Sequence, residues 1–438
     1  MLAATAVAVT LAGCVPMRWI SADPASLTLL KDSPVNCLLL EEPQWALAPA
    51  VRERGLLALA VVRSAEQARR VPARFDALVT EGGRLAGPAG LPVVALAARR
   101  DLHLEEKGVA GTTQGVWPGI EVEHSGPKTT EAAPTGSAWI HTNTGFLRYV
   151  HAVRSGTFWM ANTPPPGTEW DGTRYAVAIA DAATVGARWV VSLDDSFRKR
   201  LLAGEEKAAA DWTKIQQHLR FYENNTAWKS MQPFAELALV QDLQAGAYVT
   251  GNLLDMLAVL NTPVRAMQSR ELTETKLDGT KVTVAIHPQS YTEDQRSLIE
   301  KFALKGGKVV TGEKGFSMPE PADGQFTFTK EDYKQLEKIW PELHLAVQRK
   351  NFGVRMFNVS GTLSYLMRNA DGSKAVLHLV NYTGYPVESV TAFVQGKYKS
   401  AKLLTPEGEP RKLEIYDTPE GTGIEIDQMN TAAAVVLE

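Results

Sequence analysis

The sequence predicts an α/β protein: a small (β/α)8-type barrel, then a flavodoxin-like α/β domain, then a C-terminal antiparallel β-sandwich. Three observations lead to this prediction. Short apolar strands alternate with helical segments from Pro34 onward, which is typical of a parallel sheet covered by helices. The alternation restarts near Pro233, and from Phe352 apolar residues recur with period 2, as in antiparallel strands. A chain of 438 residues is long enough for two or three domains.

The predicted barrel covers residues 15–232. Its strands are short, nearly continuous apolar runs. They are predicted at residues 36–40, 56–62, 75–80, 91–97, 138–141, 157–160 and 189–193, with a weaker candidate at 116–123. Seven or eight βα units in roughly 200 residues fit a small barrel, and an open doubly wound sheet is the competing interpretation.

The flavodoxin-like domain is predicted over residues 233–315, with strands near 237, 263, 282 and 308 and a helix at 252–260. Its second helix runs from 291 to 304 and starts with a capping box, Thr292 and Gln295. A polar connection over 316–350 contains one predicted helix at 330–340, and the β-sandwich covers 351–438.

The N-terminus predicts a lipoprotein signal peptide over residues 1–14. A short apolar run ends in Leu11-Ala12-Gly13-Cys14, which resembles a bacterial lipobox whose cysteine is lipidated. The basic segment that usually precedes such a run is missing, and the alternative is a chance cysteine. The lipobox interpretation places the protein in the bacterial cell envelope, periplasmic or at the outer membrane, held by a lipid anchor only. The only other cysteine is Cys37, so no disulfide is expected.

Composition and motifs exclude several function classes. The net charge is −3 and no basic block occurs, which argues against nucleic acid as a partner. The sequence contains no HExxH motif and no paired cysteines that would indicate a metal site. It also contains no phosphate loop and no Gly-x-Ser-x-Gly elbow. We therefore expect neither metal nor cofactor.

Two segments carry a resemblance to a known family. Residues 292–307, TEDQRSLIEKFALKGG, and residues 376–383, VLHLVNYT, resemble segments of family 42 β-galactosidases and related glycoside hydrolases. In that family a catalytic barrel is followed by a trimerisation domain and an antiparallel β domain, which implies the same fold here, a carbohydrate ligand and a homotrimer. The family's catalytic Asn-Glu dipeptide does not occur in this sequence. The reaction would therefore use other carboxylates, or the chain is a non-catalytic relative.

Glycoside hydrolysis needs two carboxyl groups across the scissile bond. Carboxylates stand at the predicted strand ends, which a parallel barrel brings to one rim. These are Glu41, Glu42, Glu81, Glu121, Glu123, Asp194 and Asp195. We predict Asp194 and Glu81 as the catalytic pair. Because neighbouring residues on a strand point to opposite sides, one of Asp194 and Asp195 should face the rim while the other caps the next helix.

Five further residues are predicted to bind the sugar: Glu41, His141, Asn143, Trp159 and Asp195. Each lies at or near a predicted strand end, where polar groups can hydrogen-bond a sugar and an indole ring can stack on it. The competing interpretations are helix capping for Asn143 and core packing for Trp159.

Asp181 lies in an Ala-rich helix and is predicted to pair structurally, with Arg174 or Arg188. The sequence thus favours a secreted glycoside hydrolase-like protein, with a non-catalytic carbohydrate-binding or assembly protein as the alternative. A rim whose carboxylates are all capped or salt-bridged would argue against the enzyme.

Overall fold

The computed structural model describes most of the chain, and every structural statement below refers to this part. The described residues are 10–83, 85, 90–126, 129–134, 140–241, 262–285, 291–311, 334, 337–347, 352–359 and 361–438. The chain divides into two compact units. The first comprises residues 1–115, 155–175 and 187–223, and the second 116–154, 176–186 and 224–438. The domain boundaries predicted at 232, 315 and 350 stay predictions.

The first unit contains an eight-stranded parallel sheet. In chain order its strands are β1 (Pro16–Arg18), β2 (Cys37–Leu40), β3 (Leu57–Val62), β4 (Ala77–Glu81), β5 (Val93–Leu96), β6 (Ala110–Thr112), β9 (Phe158–Met160) and β10 (Arg188–Trp189). Between β6 and β9 the chain forms an antiparallel hairpin of β7 (Ile120–Gly126) and β8 (Thr129–Pro134), which belongs to the second unit. Met17 of β1 pairs in parallel with Val191 just beyond β10. The Arg18 N–H donates to the Val191 carbonyl at 2.9 Å, and the Val191 N–H donates to the Pro16 carbonyl at 3.0 Å. The sheet therefore closes into a barrel, which excludes the open doubly wound alternative.

Helices alternate with the barrel strands along the chain. They are α1 (Ala48–Glu53), α2 (Ala65–Arg70), α3 (Thr144–Val153), α4 (Gly172–Ala183), α5 (Asp195–Leu202) and α6 (Glu206–Asn224), of which α3 and most of α4 fall in the second unit. Ser64 caps α2 by accepting from the Gln67 N–H at 3.1 Å. One apolar stripe of α6 is buried. It consists of Trp212, Ile215, Leu219 and Tyr222.

Two barrel strands differ from those predicted. β1 and β6 were not anticipated, because β1 follows the signal-like segment and β6 has only three residues, too few for a pattern. The strand predicted at 138–141 is partly outside the described residues, and Ile140 and His141 are not in a strand. The candidate at 116–123 overlaps β7, which pairs antiparallel with β8 and contributes nothing to the barrel.

The barrel interior is packed with apolar side chains from alternate strand positions. One buried cluster joins residues of β2, β3, β4, β5 and β9 with Val190, which directly follows β10, and it includes Leu39, Val61, Val79 and Trp159. Trp159 is completely buried there. Gly111 of β6 leaves room for it, because a Cβ at this position would lie 2.6 Å from the Trp159 carbonyl oxygen. The interior is thus a filled core and not a pore.

A disulfide joins Cys14 to Cys37 at the amino end of the barrel, with 5.6 Å between the two Cα atoms. The prediction of no disulfide is therefore wrong, because barrel pairing brings Cys14, two residues before β1, next to Cys37, the first residue of β2. A sulfur held in a disulfide cannot also carry a thioether-linked lipid, so lipidation of Cys14 and this bond exclude each other. The preceding residues also contact the fold, since Asn36 Nδ2 donates to the Gly13 carbonyl at 3.1 Å.

The second unit contains a four-stranded parallel sheet in the order β13-β12-β14-β15. After β11 (Gln232–Pro233), its strands are β12 (Leu237–Gln241), β13 (Arg265–Gln268), β14 (Val282–Ala285) and β15 (Lys308–Val310), with helices α7 (Glu274–Leu277), α8 (Glu293–Leu304) and α9 (Trp340–Val347). This order is that of a flavodoxin-like sheet, as predicted. The capping box of α8 is confirmed: Thr292 Oγ1 accepts from the Gln295 N–H at 3.3 Å, and Gln295 Oε1 accepts from the Thr292 N–H at 3.0 Å. The helix predicted at 252–260 lies outside the described residues, as does most of that at 330–340.

The C-terminal part forms the predicted antiparallel sandwich. One sheet has the order β11-β17-β18-β24-β20-β21 and the other β16-β19-β23-β22. The strands are β16 (Val354–Phe357), β17 (Thr362–Arg368), β18 (Ala375–Asn381), β19 (Val387–Val394), β20 (Ala401–Leu404), β21 (Arg411–Leu413), β22 (Ile415–Thr418), β23 (Gly421–Met429) and β24 (Ala432–Leu437). Alternate residues such as Leu377, Leu379, Ile424 and Ile426 fill the core between the sheets. Period-2 patterning thus predicted this domain correctly.

Candidate functional site

Four charged residues lie together at the carboxyl ends of β1 to β4. We call Arg18, Glu41, Arg63 and Glu81 the rim cluster. All four occupy inward-facing positions: Arg18 pairs with the core residue Leu39, and the other three each follow a core residue by two positions. Ligands and chemistry in (β/α)8 barrels occur at this face, so the rim cluster is the candidate site.

Each glutamate of the rim cluster contacts both arginines. Arg18 Nη1 donates to Glu41 Oε1 at 3.1 Å, and its Nη2 donates to Glu81 Oε1. Arg63 Nη1 lies 2.6 Å from Glu41 Oε2, and its Nη2 lies 2.9 Å from Glu41 Oε1 and 2.7 Å from Glu81 Oε2. The four side chains thus form a closed ring of alternating charge with no net charge.

Electrostatic interactions favour the ionised forms of Glu41 and Arg63 in the rim cluster. Burial on its own raises the pKa of Glu41, but the hydrogen bonds and positive charge of Arg63, followed by those of Arg18, outweigh burial and lower it. The hydrogen bonds that Arg63 donates to Glu41 similarly raise the pKa of Arg63 above its ordinary value, against the opposing effect of burial. At neutral pH Glu41 is therefore a carboxylate and not a proton donor.

Neighbouring glutamines fix the backbone of two cluster residues. Gln44 Oε1 accepts from the Glu41 N–H at 3.0 Å, while Gln44 Nε2 donates to the Trp19 carbonyl at 2.9 Å. Gln67 Oε1 accepts from the Arg63 N–H at 2.8 Å. The ends of β1, β2 and β3 are thereby held in place, which preorganises the rim cluster.

The two carboxyl groups of the rim cluster are close. Glu41 Oε1 and Glu81 Oε2 both accept from Arg63 Nη2, at 2.9 and 2.7 Å, so these oxygens are no further apart than the sum of the two distances, about 5.6 Å. Retaining glycosidases hold their carboxyl groups roughly 5–5.5 Å apart. The structure thus brings Glu81 together with Glu41 rather than with Asp194.

Asp194 is buried and caps a helix. Its Oδ1 accepts from the Phe197 N–H at 2.8 Å, at the start of α5. Its Oδ2 accepts from the Trp170 N–H at 3.1 Å and from the Tyr175 hydroxyl at 3.0 Å. These contacts favour the capping interpretation for Asp194, and none of them is with the rim cluster.

The other predicted acidic residues are also paired. Asp195 is exposed on the first turn of α5 and forms an ion pair with Arg198. Glu42 pairs with Arg70 at 2.8 Å. The side chains of Glu121 and Glu123 lie outside what the structure describes. Every described carboxylate that we predicted at the rim is therefore capped or salt-bridged.

The remaining predicted binding residues have structural contacts. Trp159 is completely buried in the barrel core. Asn143 is fully buried in the second unit, and its side-chain amide bonds both the N–H and the carbonyl of Val116, at 2.9 and 3.0 Å. His141 precedes α3, and its carbonyl accepts from the Gly119 N–H at 2.7 Å. A sugar-binding role for the three stays a prediction.

A second polar network surrounds Asp181 in the second unit. This carboxyl group is completely buried, and its partners are Thr142, Asn143 and Tyr382, not Arg174 or Arg188 as predicted. Tyr382 donates to Oδ1 at 2.7 Å, and Asn143 donates to Oδ2 through its backbone N–H and its amide, at 3.1 and 3.0 Å. Burial raises the pKa of Asp181, although these hydrogen bonds oppose the shift. The prediction of a structural role is consistent with this arrangement, but its partners were wrong.

Sequence reasoning missed Arg18 and Arg63. Both end strands at inward-facing positions, and Arg63 directly follows the apolar run Leu57–Val62. A positively charged residue at the end of an apolar strand indicates a place at the barrel rim, just as the carboxylates at strand ends do. Within the described residues, no group of three or more His, Cys, Asp or Glu side chains is arranged to bind a metal, and no helix is both long and apolar enough to cross a membrane.

Comparisons with known proteins show the fold. No protein-family model and no curated protein matches the sequence. Among solved structures, α-L-fucosidase isoenzyme 2 from Paenibacillus thiaminolyticus matches with a TM-score of 0.63 and 12% identity, covering 96% of each chain. The chain has a glycoside hydrolase-like fold.

Two further glycosidase structures match less well. A rhamnosidase from Novosphingobium sp. PP1Y has a TM-score of 0.47 at 12% identity, and the match covers 90% of this chain and 38% of the rhamnosidase. A GH42 β-galactosidase from G. stearothermophilus has a TM-score of 0.41 at 10% identity, with 89% and 64% covered. At such identities only the fold of the glycoside hydrolase-like protein is shown, and its chemistry must be argued from its own residues.

Proposed function

We propose that this glycoside hydrolase-like protein binds carbohydrate at the barrel mouth and that the rim cluster is its ligand site. The observation that carries this proposal is the convergence of Arg18, Glu41, Arg63 and Glu81 from four successive strands on the inner face of the barrel. Alternating carboxylates and guanidinium groups provide both acceptors and donors for sugar hydroxyls. Half of the Arg63 side chain and about a third of Glu41 are exposed, so a ligand can reach them.

Binding without hydrolysis fits the charge state of the site better than catalysis does. A glycosidase needs one carboxyl group that stays protonated near neutral pH, usually through a raised pKa. The arginines instead lower the pKa of Glu41. Asp194, which we predicted as one partner of the catalytic pair, has both oxygens engaged in local hydrogen bonds.

Hydrolysis with retention of configuration is the second candidate. It is favoured by the close approach of Glu41 and Glu81, at most about 5.6 Å between two of their oxygens. The fucosidase that matches over 96% of both chains also acts on glycosides, as its name states. In this case one glutamate would be the nucleophile, and ligand binding would have to release the other from its arginine partners before it could donate a proton.

One set of variants tests both candidates. Oligosaccharide binding is measured by isothermal titration calorimetry, and turnover is measured with a panel of aryl glycosides. Glu81→Gln should weaken binding at least tenfold, because it removes a charge that both arginines contact. The matched control is Glu53→Gln, the same change at an exposed position at the end of α1. Sugar binding that is equal in both variants would refute the proposal.

Turnover decides between the two candidates. Binding without measurable turnover supports the non-catalytic protein. Turnover that is lost in both Glu81→Gln and Glu41→Gln supports the retaining enzyme, and turnover lost in Asp194→Asn with unchanged stability would restore Asp194 as a catalytic residue.

Localisation and assembly also remain proposals. The disulfide between Cys14 and Cys37 supports maturation in an oxidising compartment such as the periplasm. We retain the cell envelope as the proposed location and the homotrimer as the proposed assembly.

A further inference from the structure

The two arginines of the rim cluster are not equivalent. Arg18 belongs to β1, only 12% of its side chain is exposed, and its buried Nε has no hydrogen-bond partner among the residues that the structure describes. Arg63 follows β3, and 50% of its side chain is exposed. Arg18 is therefore a fixed part of the barrel interior, whereas Arg63 reaches the two glutamates from the solvent side.

Arg63 occupies the positions that a ligand would need. Its guanidinium binds three carboxylate oxygens, namely both oxygens of Glu41 and Oε2 of Glu81, at 2.6, 2.9 and 2.7 Å. A sugar that contacts these oxygens from solvent must take the place of the guanidinium. Once Arg63 has moved away, the site would contain two carboxylates and only one cation.

The net negative charge of the rim cluster without Arg63 determines which class of ligand it binds. Neutral hydroxyl groups can donate hydrogen bonds to the three oxygens, but they do not balance the second carboxylate. A carboxylated or sulfated sugar would add like charge and be repelled. An ammonium group supplies three N–H donors and one positive charge, which match the three oxygens and the missing cation.

We infer that the rim cluster binds a sugar that carries a free amine, such as a glucosamine unit, and that its ammonium group replaces Arg63 between Glu41 and Glu81. This inference rests on the proposed function, because it names the class of carbohydrate for the same site. No covalent step is involved, because the ammonium group of the ligand simply takes the place of the Arg63 guanidinium.

The test compares ligands that differ only in the amine. Glucosamine oligosaccharides, their N-acetylated counterparts and glucose oligosaccharides of equal length are titrated into the unaltered protein by calorimetry. We expect the free-amine ligand to bind at least tenfold more tightly than the acetylated one. This comparison needs no variant, so it does not depend on whether a substituted protein folds.

A pair of variants tests the exchange itself. Arg63→Gln removes the internal competitor and should tighten binding of the amine ligand severalfold, while its melting temperature verifies folding. Arg70→Gln is the matched control, because Arg70 is similarly exposed and pairs with Glu42 outside the cluster. Weaker amine binding in Arg63→Gln, or equal binding of amine and acetylated ligands, would overturn the inference.

The outcomes separate the inference from the function on which it rests. Equal binding of all three ligands that is lost in Glu81→Gln would leave carbohydrate binding intact and remove only the amine preference. Failure of every sugar to bind, or binding that is unchanged in Glu81→Gln, would refute both.

Discussion

Tyr175 and Asp194 are joined by two hydrogen bonds of opposite direction. The Tyr175 hydroxyl donates to Asp194 Oδ2 at 3.0 Å and accepts from the Asp194 N–H at 2.8 Å. Burial, followed by the negative charge of Asp194, raises the pKa of Tyr175 well above its ordinary value. This pair ties the start of α4 to the start of α5, which favours a structural role for the carboxylate that we predicted as one of the catalytic pair.

Asp194→Ala should lower the free energy of unfolding by about 2–3 kcal/mol. The substitution removes a helix cap and leaves buried N–H and hydroxyl groups without their acceptor. Urea denaturation measures the effect, with Asp195→Ala as the exposed control, which should stay within about 0.5 kcal/mol of the unaltered protein. Equal stability of the two variants would contradict the capping role.

Asp181→Ala should destabilise the second unit by about 2–4 kcal/mol, because it leaves the donors of Thr142, Asn143 and Tyr382 buried and unpaired. Asp181→Asn should cost less. The Thr142 and Tyr382 hydroxyls can rotate to accept from an amide, whereas alanine offers them nothing. The order of the two unfolding free energies is the measurement, and a milder effect for alanine would speak against this network.

The pH dependence of the Asp181 variants follows from the sign of the pKa shift. Burial raises the pKa of Asp181 in the folded state, so the folded protein holds this proton more tightly than the unfolded chain. The stability that protonated Asp181 contributes is fully present below the pKa of this group in the unfolded chain. It is lost as pH rises through the higher pKa of Asp181 in the folded protein. The stability advantage of the unaltered protein over Asp181→Asn should therefore shrink as pH increases across this window, as followed by urea titrations at several pH values.

His378 should make the protein sensitive to acid. It is buried on β18 beside Trp228, with 5.0 Å between the ring centroids, and burial lowers its pKa to about 3. Between the unfolded value near 6.5 and the folded value, only the unfolded chain takes up the proton, which costs about 1.4 kcal/mol of stability for each pH unit. This stability is present above the unfolded pKa and is lost as pH falls through the window.

His378→Leu should reduce the slope of unfolding free energy against pH between about pH 6 and 4. His218, whose pKa burial lowers to about 4, stays in place and accounts for part of the remaining slope. Identical slopes in the variant and the unaltered protein would show that His378 is not buried in its neutral form.

Reduction of the disulfide should lower the free energy of unfolding by about 3 kcal/mol, since the bond closes a loop between residues 23 positions apart. Denaturation with and without dithiothreitol measures this effect. The Cys14→Ser, Cys37→Ser double variant is the control and should not respond to the reductant. Intact-mass spectrometry gives a second readout: the disulfide lowers the mass by two hydrogens, whereas processing of a lipoprotein signal peptide would remove residues 1–13, add acyl chains to Cys14 and exclude the bond.

Local patterns in the sequence predicted the fold well. The apolar runs of β2, β3 and β4, the Thr292 capping box and the period-2 strands of the sandwich all follow from residues near one another in the chain. The short strands β1 and β6 escaped prediction because three residues carry no periodicity. The partners of Glu81 also escaped it, because they come from strands that are distant in sequence.

The sequence by itself determined that carboxylates stand at the ends of parallel strands and that a sandwich ends the chain. Burial and strand periodicity depend on the order of apolar and polar residues close together in the chain. Only the tertiary structure decided that Met17 meets Val191 to close the barrel, and that Glu81 shares Arg63 with Glu41 instead of facing Asp194. Strand register and closure set these distances, and both depend on contacts between residues far apart in the chain. For the same reason, the cysteine that looked like a lipid anchor is paired in the structure across two neighbouring strands.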